Sequence, residues 1–232
     1  MSTSTLTYRI GLWAAVLATA SLAIFAIAFT VTIIAFPTAV EWHGLEAYAA
    51  SYNETLMFFL MFPPFMLAPS FLVLMASLHQ ITPASKRILS LLALLFTTLY
   101  ATQISLNYYT QMTAVTANLQ SGDLEGLAIW AFFNPHSLPI SLELLGYGLL
   151  SVGMIFAAFL FRGVQRGAAI FWLFLINGIL NALYILEPFV GLGGPPIVLA
   201  LFNYSVPVAT ALIAVRFRKV LQRKGAHFFP RD

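Results

Sequence analysis

Residues 88–114 read ILSLLALLFTTLYATQISLNYYTQMTA, a run with no charged side chain. At about 1.5 Å of rise per residue, a helix of that length exceeds the hydrocarbon thickness of a bilayer, about 30 Å. Apolar and polar residues do not alternate along it, so the pattern of a half-buried strand is absent. Tyr100, Gln103, Asn107 and Gln111 recur instead at spacings of three and four, which place side chains on one helix face. The stretch predicts a membrane-spanning helix with one polar face.

Working outward, the same kind of apolar run recurs over 10–36, 55–78, 139–161, 168–186 and 195–215. The first run is longer than the roughly 7–15 residue core of a cleavable signal peptide and is expected to be retained as a helix. A transmembrane barrel would require many alternating segments of about 10 residues. The expected fold class is therefore all-α: a polytopic bundle of six transmembrane helices, one domain over 1–215 followed by a basic tail over 216–232. Composition agrees, since 60% of the 232 residues are hydrophobic and 8% charged, against about 25% charged in an ordinary soluble domain. The chain has no cysteine, which excludes disulfides, thiolate metal sites and cysteine nucleophiles.

Charge gives the expected orientation. Arg9 precedes the first span, Lys86 and Arg87 lie between the second and third, and Arg162 and Arg166 between the fourth and fifth; the remaining Lys and Arg residues follow the sixth. Threaded through six spans, all of them fall on one side, which the positive-inside rule makes cytoplasmic. Both termini are expected there, in a plasma-membrane protein. Glu41, Glu46, Glu54, Asp123, Glu125 and Glu187 fall on the opposite side. The basic balance is thus a topology signal resting against anionic headgroups. Membrane lipids are the expected surroundings and no nucleic-acid partner is expected, while the sequence names no protein partner.

Two outer segments, 41–54 and 124–133, read as helices lying at the membrane interface. Asn53-Glu54-Thr55 matches the N-glycosylation pattern, but it abuts a span and is expected to go unused. Pro63, Pro64 and Pro69 are expected to interrupt the hydrogen bonding of the second span.

Polar side chains within spans carry the functional reading, because lipid cannot satisfy them. Gln103, Asn107 and Tyr108 come from span three, Glu143 and Tyr147 from span four, Asn177, Asn181 and Tyr184 from span five, and Asn203 from span six. They are expected to face one another in the middle and outer half of the bilayer. A channel needs a polar lining through the whole thickness, and an inverted-repeat transporter a midplane site that opens both ways. An outward-facing pocket for a small amphipathic or lipid-like ligand fits the distribution better.

Glu143 is the one Asp, Glu, Lys, Arg or His well inside a span. A carboxyl there is either neutral or held by donors such as Asn107, Gln103, Asn181 or Tyr147. His136, seven residues earlier, would supply a base if its segment curled over the helix start. That gives a second reading, an intramembrane isomerase, cyclase or hydrolase with Glu143 and His136 as catalytic residues. A third is an accessory or scaffold subunit whose polar stripes only hold helices together. No His-x-x-x-His pair occurs and no span contains Lys for a retinal Schiff base, so no metal or cofactor is expected.

Overall fold

Backbone N–H and C=O groups find no partners in hydrocarbon, so long apolar runs must satisfy them internally. In the computed structural model each such run is helical. The structure describes residues 3–36, 41–186, 189, 196–222 and 228–229, and among them there is no strand. The helices are α1 Thr3–Ala35, α2 Leu45–Ser51, α3 Glu54–Ile81, α4 Arg87–Thr110, α5 Thr116–Ser121, α6 Leu138–Ala158, α7 Ala168–Ala182 and α8 Pro196–Gln222. Four stretches, Thr5–Ala35, Glu54–Ile81, Ala84–Ser121 and Leu138–Ala158, are long and apolar enough to cross a membrane, whereas α7 is a shorter apolar helix. The architecture is all-helical and compatible with a membrane protein.

The six longer helices close into a ring. α1 packs on α3, α3 on α4, α4 on α6, α6 on α7, α7 on α8, and α8 returns to α1. Large side chains fill the ring: Phe71 of α3 meets Phe174 of α7 at 6.3 Å between centroids, and Leu74, Met154 and Ile213 are fully enclosed. Thr19 and Thr210 hydroxyls bond at 2.8 Å across the α1–α8 closure, and Thr30 bonds Tyr204 at 3.0 Å farther along it.

The basic loops gather at one end of the ring. The Lys86 ammonium donates to the Phe159, Leu160 and Arg162 carbonyls at 3.1, 3.2 and 2.8 Å, joining the α3–α4 and α6–α7 turns. Arg216 donates to the carbonyls of Gln165 and Phe228, each at 2.7 Å, and Tyr8 near the start of α1 packs on Phe217. At the other end, Gln120 donates to Glu54 at 2.7 Å, and the Tyr52 and Thr116 hydroxyls bond at 2.6 Å.

One local expectation changes. Over 124–133 the chain forms turns and a single 3-10 segment, Leu127–Trp130, in place of an interfacial helix. Gly126 enters this segment with φ of 70°, a left-handed conformation that ends regular helix on its N-terminal side. α3 runs unbroken through its three prolines, although each lacks the N–H that would bond the carbonyl four residues back. Pro63 and Pro64 are buried with Met57, Met61 and Leu67 in the ring, and this packing holds the helix where its ladder is incomplete. Within 41–54 a helix is present as α2. Asn53 caps α3, its side-chain oxygen accepting from Leu56 N at 2.9 Å.

Candidate functional site

The α4–α6 contact is antiparallel and close because α6 presents glycines to it. A Cβ at Gly153 would stand 3.2 Å from the Ala93 carbonyl, and one at Gly146 would stand 3.1 Å from Ile104 and 3.6 Å from the Gln103 side-chain oxygen. Asn107 donates to the Pro139 carbonyl at 3.2 Å, and the Tyr100 and Tyr147 rings meet at 5.4 Å. This register brings Glu143 to the level of Gln103 and Asn107. α6 starts at Leu138, with Ser137 as its N-cap. Glu143 lies beyond the first turn, where the helix-terminal dipole has largely faded.

Around Glu143 stand three phenols. Tyr100, Tyr108 and Tyr147 surround the carboxyl, with Tyr108 turned toward it. Tyr100 is wholly enclosed and Tyr108 nearly so, while Glu143, Gln103 and Tyr147 are partly buried. Three oxygens of this group are shut off from solvent without a hydrogen-bond partner among the described residues: the Tyr100 hydroxyl, Gln103 Oε1 and Glu143 Oε1. Orphaned buried acceptors are uncommon in folded proteins and call for a missing donor. No ion pair to Glu143 occurs among the described residues.

The amides of α7 are placed differently. Asn177 donates to the Leu173 carbonyl at 2.8 Å and to the Ser205 hydroxyl at 2.6 Å, and Asn181 donates to the Asn177 carbonyl at 3.0 Å. These bonds stitch α7 to itself and to α8. Gln111, inside the π-helical turn Gln111–Val115 that follows α4, donates to the Trp130 carbonyl at 2.9 Å and so ties the loop around Trp130 to the helix. The side chains of Tyr184 and Asn203 lie outside the described residues. His136 is exposed on the turn before α6, its backbone N–H held by the Asn134 side chain at 3.0 Å.

Gln103, Tyr108, Glu143 and Tyr147 therefore come together with Tyr100, and Asn107 sits beside them with its amide committed to Pro139. Tyr100 belongs to the polar stripe of residues 88–114, but spacing could not show that its hydroxyl would be left without a partner. The threonine links across α1 and α8 carry no sequence signal, because a hydroxyl usually bonds its own helix, as Thr97 does to the Ala93 carbonyl at 2.7 Å. A surface hollow lined by Phe161, Arg162, Val164 and Phe171 lies at the basic end and includes none of the polar site residues. Comparison of the chain with family models, with curated proteins and with solved structures finds no match.

Proposed function

We propose that the chain is a six-span integral protein of the plasma membrane, with both termini cytoplasmic, that binds a small amphipathic or lipid-like molecule at the Glu143 site between α4 and α6. One observation carries the binding reading: Glu143 Oε1, the Tyr100 hydroxyl and Gln103 Oε1, on the facing helices α4 and α6, are each enclosed without a hydrogen-bond partner among the described residues. Leaving one buried polar group unsatisfied costs about 1–3 kcal/mol, and more when it is charged, so three at one interface favour a ligand that supplies donors. The orientation is supported by the gathering of Lys86, Arg162 and Arg216 at one end of the ring and by the excess of Lys and Arg in cytoplasmic loops generally. The site lies toward the opposite end, so its ligand would enter from the outer half of the bilayer.

Native mass spectrometry with lipid extraction of the purified full chain tests this reading. Wild type is expected to retain a defined small molecule that Glu143→Gln loses while keeping its helical content and its migration in detergent. Wild type that retains no specific molecule would overturn the reading and turn attention to protein partners.

A further inference from the structure

The three enclosed oxygens have a common chemistry that narrows the ligand. Gln103 Oε1 can only accept a hydrogen bond, an ionised Glu143 can only accept, and the Tyr100 hydroxyl accepts as readily as it donates. No described cationic side chain pairs with Glu143, and the described Lys and Arg residues of the α3–α4 turn, the α6–α7 turn and the end of α8 lie at the far end of the ring. A carboxylate enclosed in an apolar bundle is strongly disfavoured without a positive partner. With Glu143 ionised, the partner called for is a donor with positive charge.

Resting on the proposed binding site, we infer that its ligand is an amphipathic amine whose protonated nitrogen sits among Glu143, Gln103 and Tyr100 and whose hydrocarbon chain runs along the bundle. An ammonium supplies three N–H donors, and Glu143, Gln103 and the Tyr100 hydroxyl can each accept one. The rings of Tyr100, Tyr108 and Tyr147 add faces that attract a cation, an effect that strengthens where water is excluded. Fatty acids and phosphates fail on sign, because their oxygens would meet oxygens. A neutral alcohol supplies one donor and leaves two acceptors orphaned. The hydrocarbon requirement follows from the surroundings: α4 and α6 expose Leu99, Leu106 and Leu145 beside the site, so a molecule arriving there comes through an apolar surface.

Three probes of equal chain length separate the possibilities: dodecylamine, dodecanol and dodecanoate, each titrated into the full chain in neutral detergent and counted by native mass spectrometry. Wild type is expected to hold dodecylammonium in one-to-one ratio, at least about tenfold more tightly than dodecanol, with dodecanoate weakest. Glu143→Gln is expected to erase the preference of amine over alcohol, and Tyr100→Phe, which removes one acceptor and keeps the ring, to weaken the amine severalfold. Equal retention of amine and alcohol by wild type, unchanged in Glu143→Gln, would overturn the amine inference and leave the amphipathic-ligand reading standing. Retention of none of the three, with no endogenous molecule extracted, would overturn both.

Discussion

The Lys86 ammonium donates to the Arg162 carbonyl at 2.8 Å, across a separation of 76 residues in the chain. With its further bonds to Phe159 and Leu160, it closes the C-terminal end of α6, where the last carbonyls of a helix have no intrahelical donor and carry partial negative charge. One side chain from the α3–α4 turn thus fixes the end of the helix that holds Glu143.

Replacing Lys86 by Met keeps the stem and removes all three bonds. The expected loss is about 1–3 kcal/mol, the range for hydrogen bonds made by charged groups. Thermal unfolding in detergent checks it, with Lys86→Arg expected to retain part of the stability.

The absence of native cysteine makes the proposed orientation directly measurable. A maleimide that cannot cross membranes is expected to label Glu125→Cys on intact cells, and Lys219→Cys only after permeabilisation. Labelling of both from one side would remove the even number of crossings.

Asn177 and Ser205 join α7 to α8 at 2.6 Å. Interhelical hydrogen bonds in membrane proteins average about 0.6 kcal/mol and reach about 1.7 kcal/mol. A double-mutant cycle with Asn177→Leu and Ser205→Ala is expected to show coupling in that range, with little effect on the dodecylamine binding tested above. Coupling near zero would mean that the short contact adds no net stability.

Gly178 sits where α7 crosses α6, and a Cβ there would stand 2.8 Å from the Ser151 carbonyl and 2.6 Å from Ile155. The carbonyl belongs to helix backbone and cannot swing aside, so Gly178→Ala is expected to push the helices apart at a cost of about 1–3 kcal/mol. Gly153→Ala, with its nearest contact at 3.2 Å, is expected to cost less in the same unfolding measurement.

Tyr48 within α2 and Tyr52 at its C-terminal end make a matched pair. Tyr52 bonds Thr116 at 2.6 Å, whereas the Tyr48 hydroxyl is buried with no partner among the described residues. Tyr52→Phe is expected to cost about 1 kcal/mol and Tyr48→Phe to be neutral or slightly stabilising. Burial, the main cause, pushes both phenols above the ordinary tyrosine value. Their contribution is complete below pH about 10 and is lost as pH rises through the raised folded values. Fluorescence of Trp42, whose ring lies 5.8 Å from that of Tyr48, is expected to report alkaline loosening that Tyr48→Phe reduces.

The sequence by itself determined the helical class and the segments that form long helices, because burying backbone in an apolar run leaves helix as the local solution. It also determined which side chains share a face, since the 3.6-residue period is a local property; Tyr100, Gln103 and Asn107 could be grouped from spacing alone. Along 124–133, hydropathy misled, because an apolar run records burial and not backbone conformation, and Gly126 in a left-handed turn breaks the helix. Only the tertiary structure decided which polar residues spend their hydrogen bonds on packing. The Asn107 amide turns to the Pro139 carbonyl and that of Asn177 to Ser205, with Asn177 Oδ1 left unmatched, while Gln103, Tyr100 and Glu143 are each left with an enclosed oxygen unmatched. That division depends on the α4–α6 register set by Gly146 and Gly153 and on the closing of the ring by α8 on α1, contacts between residues far apart in the chain that no local pattern encodes.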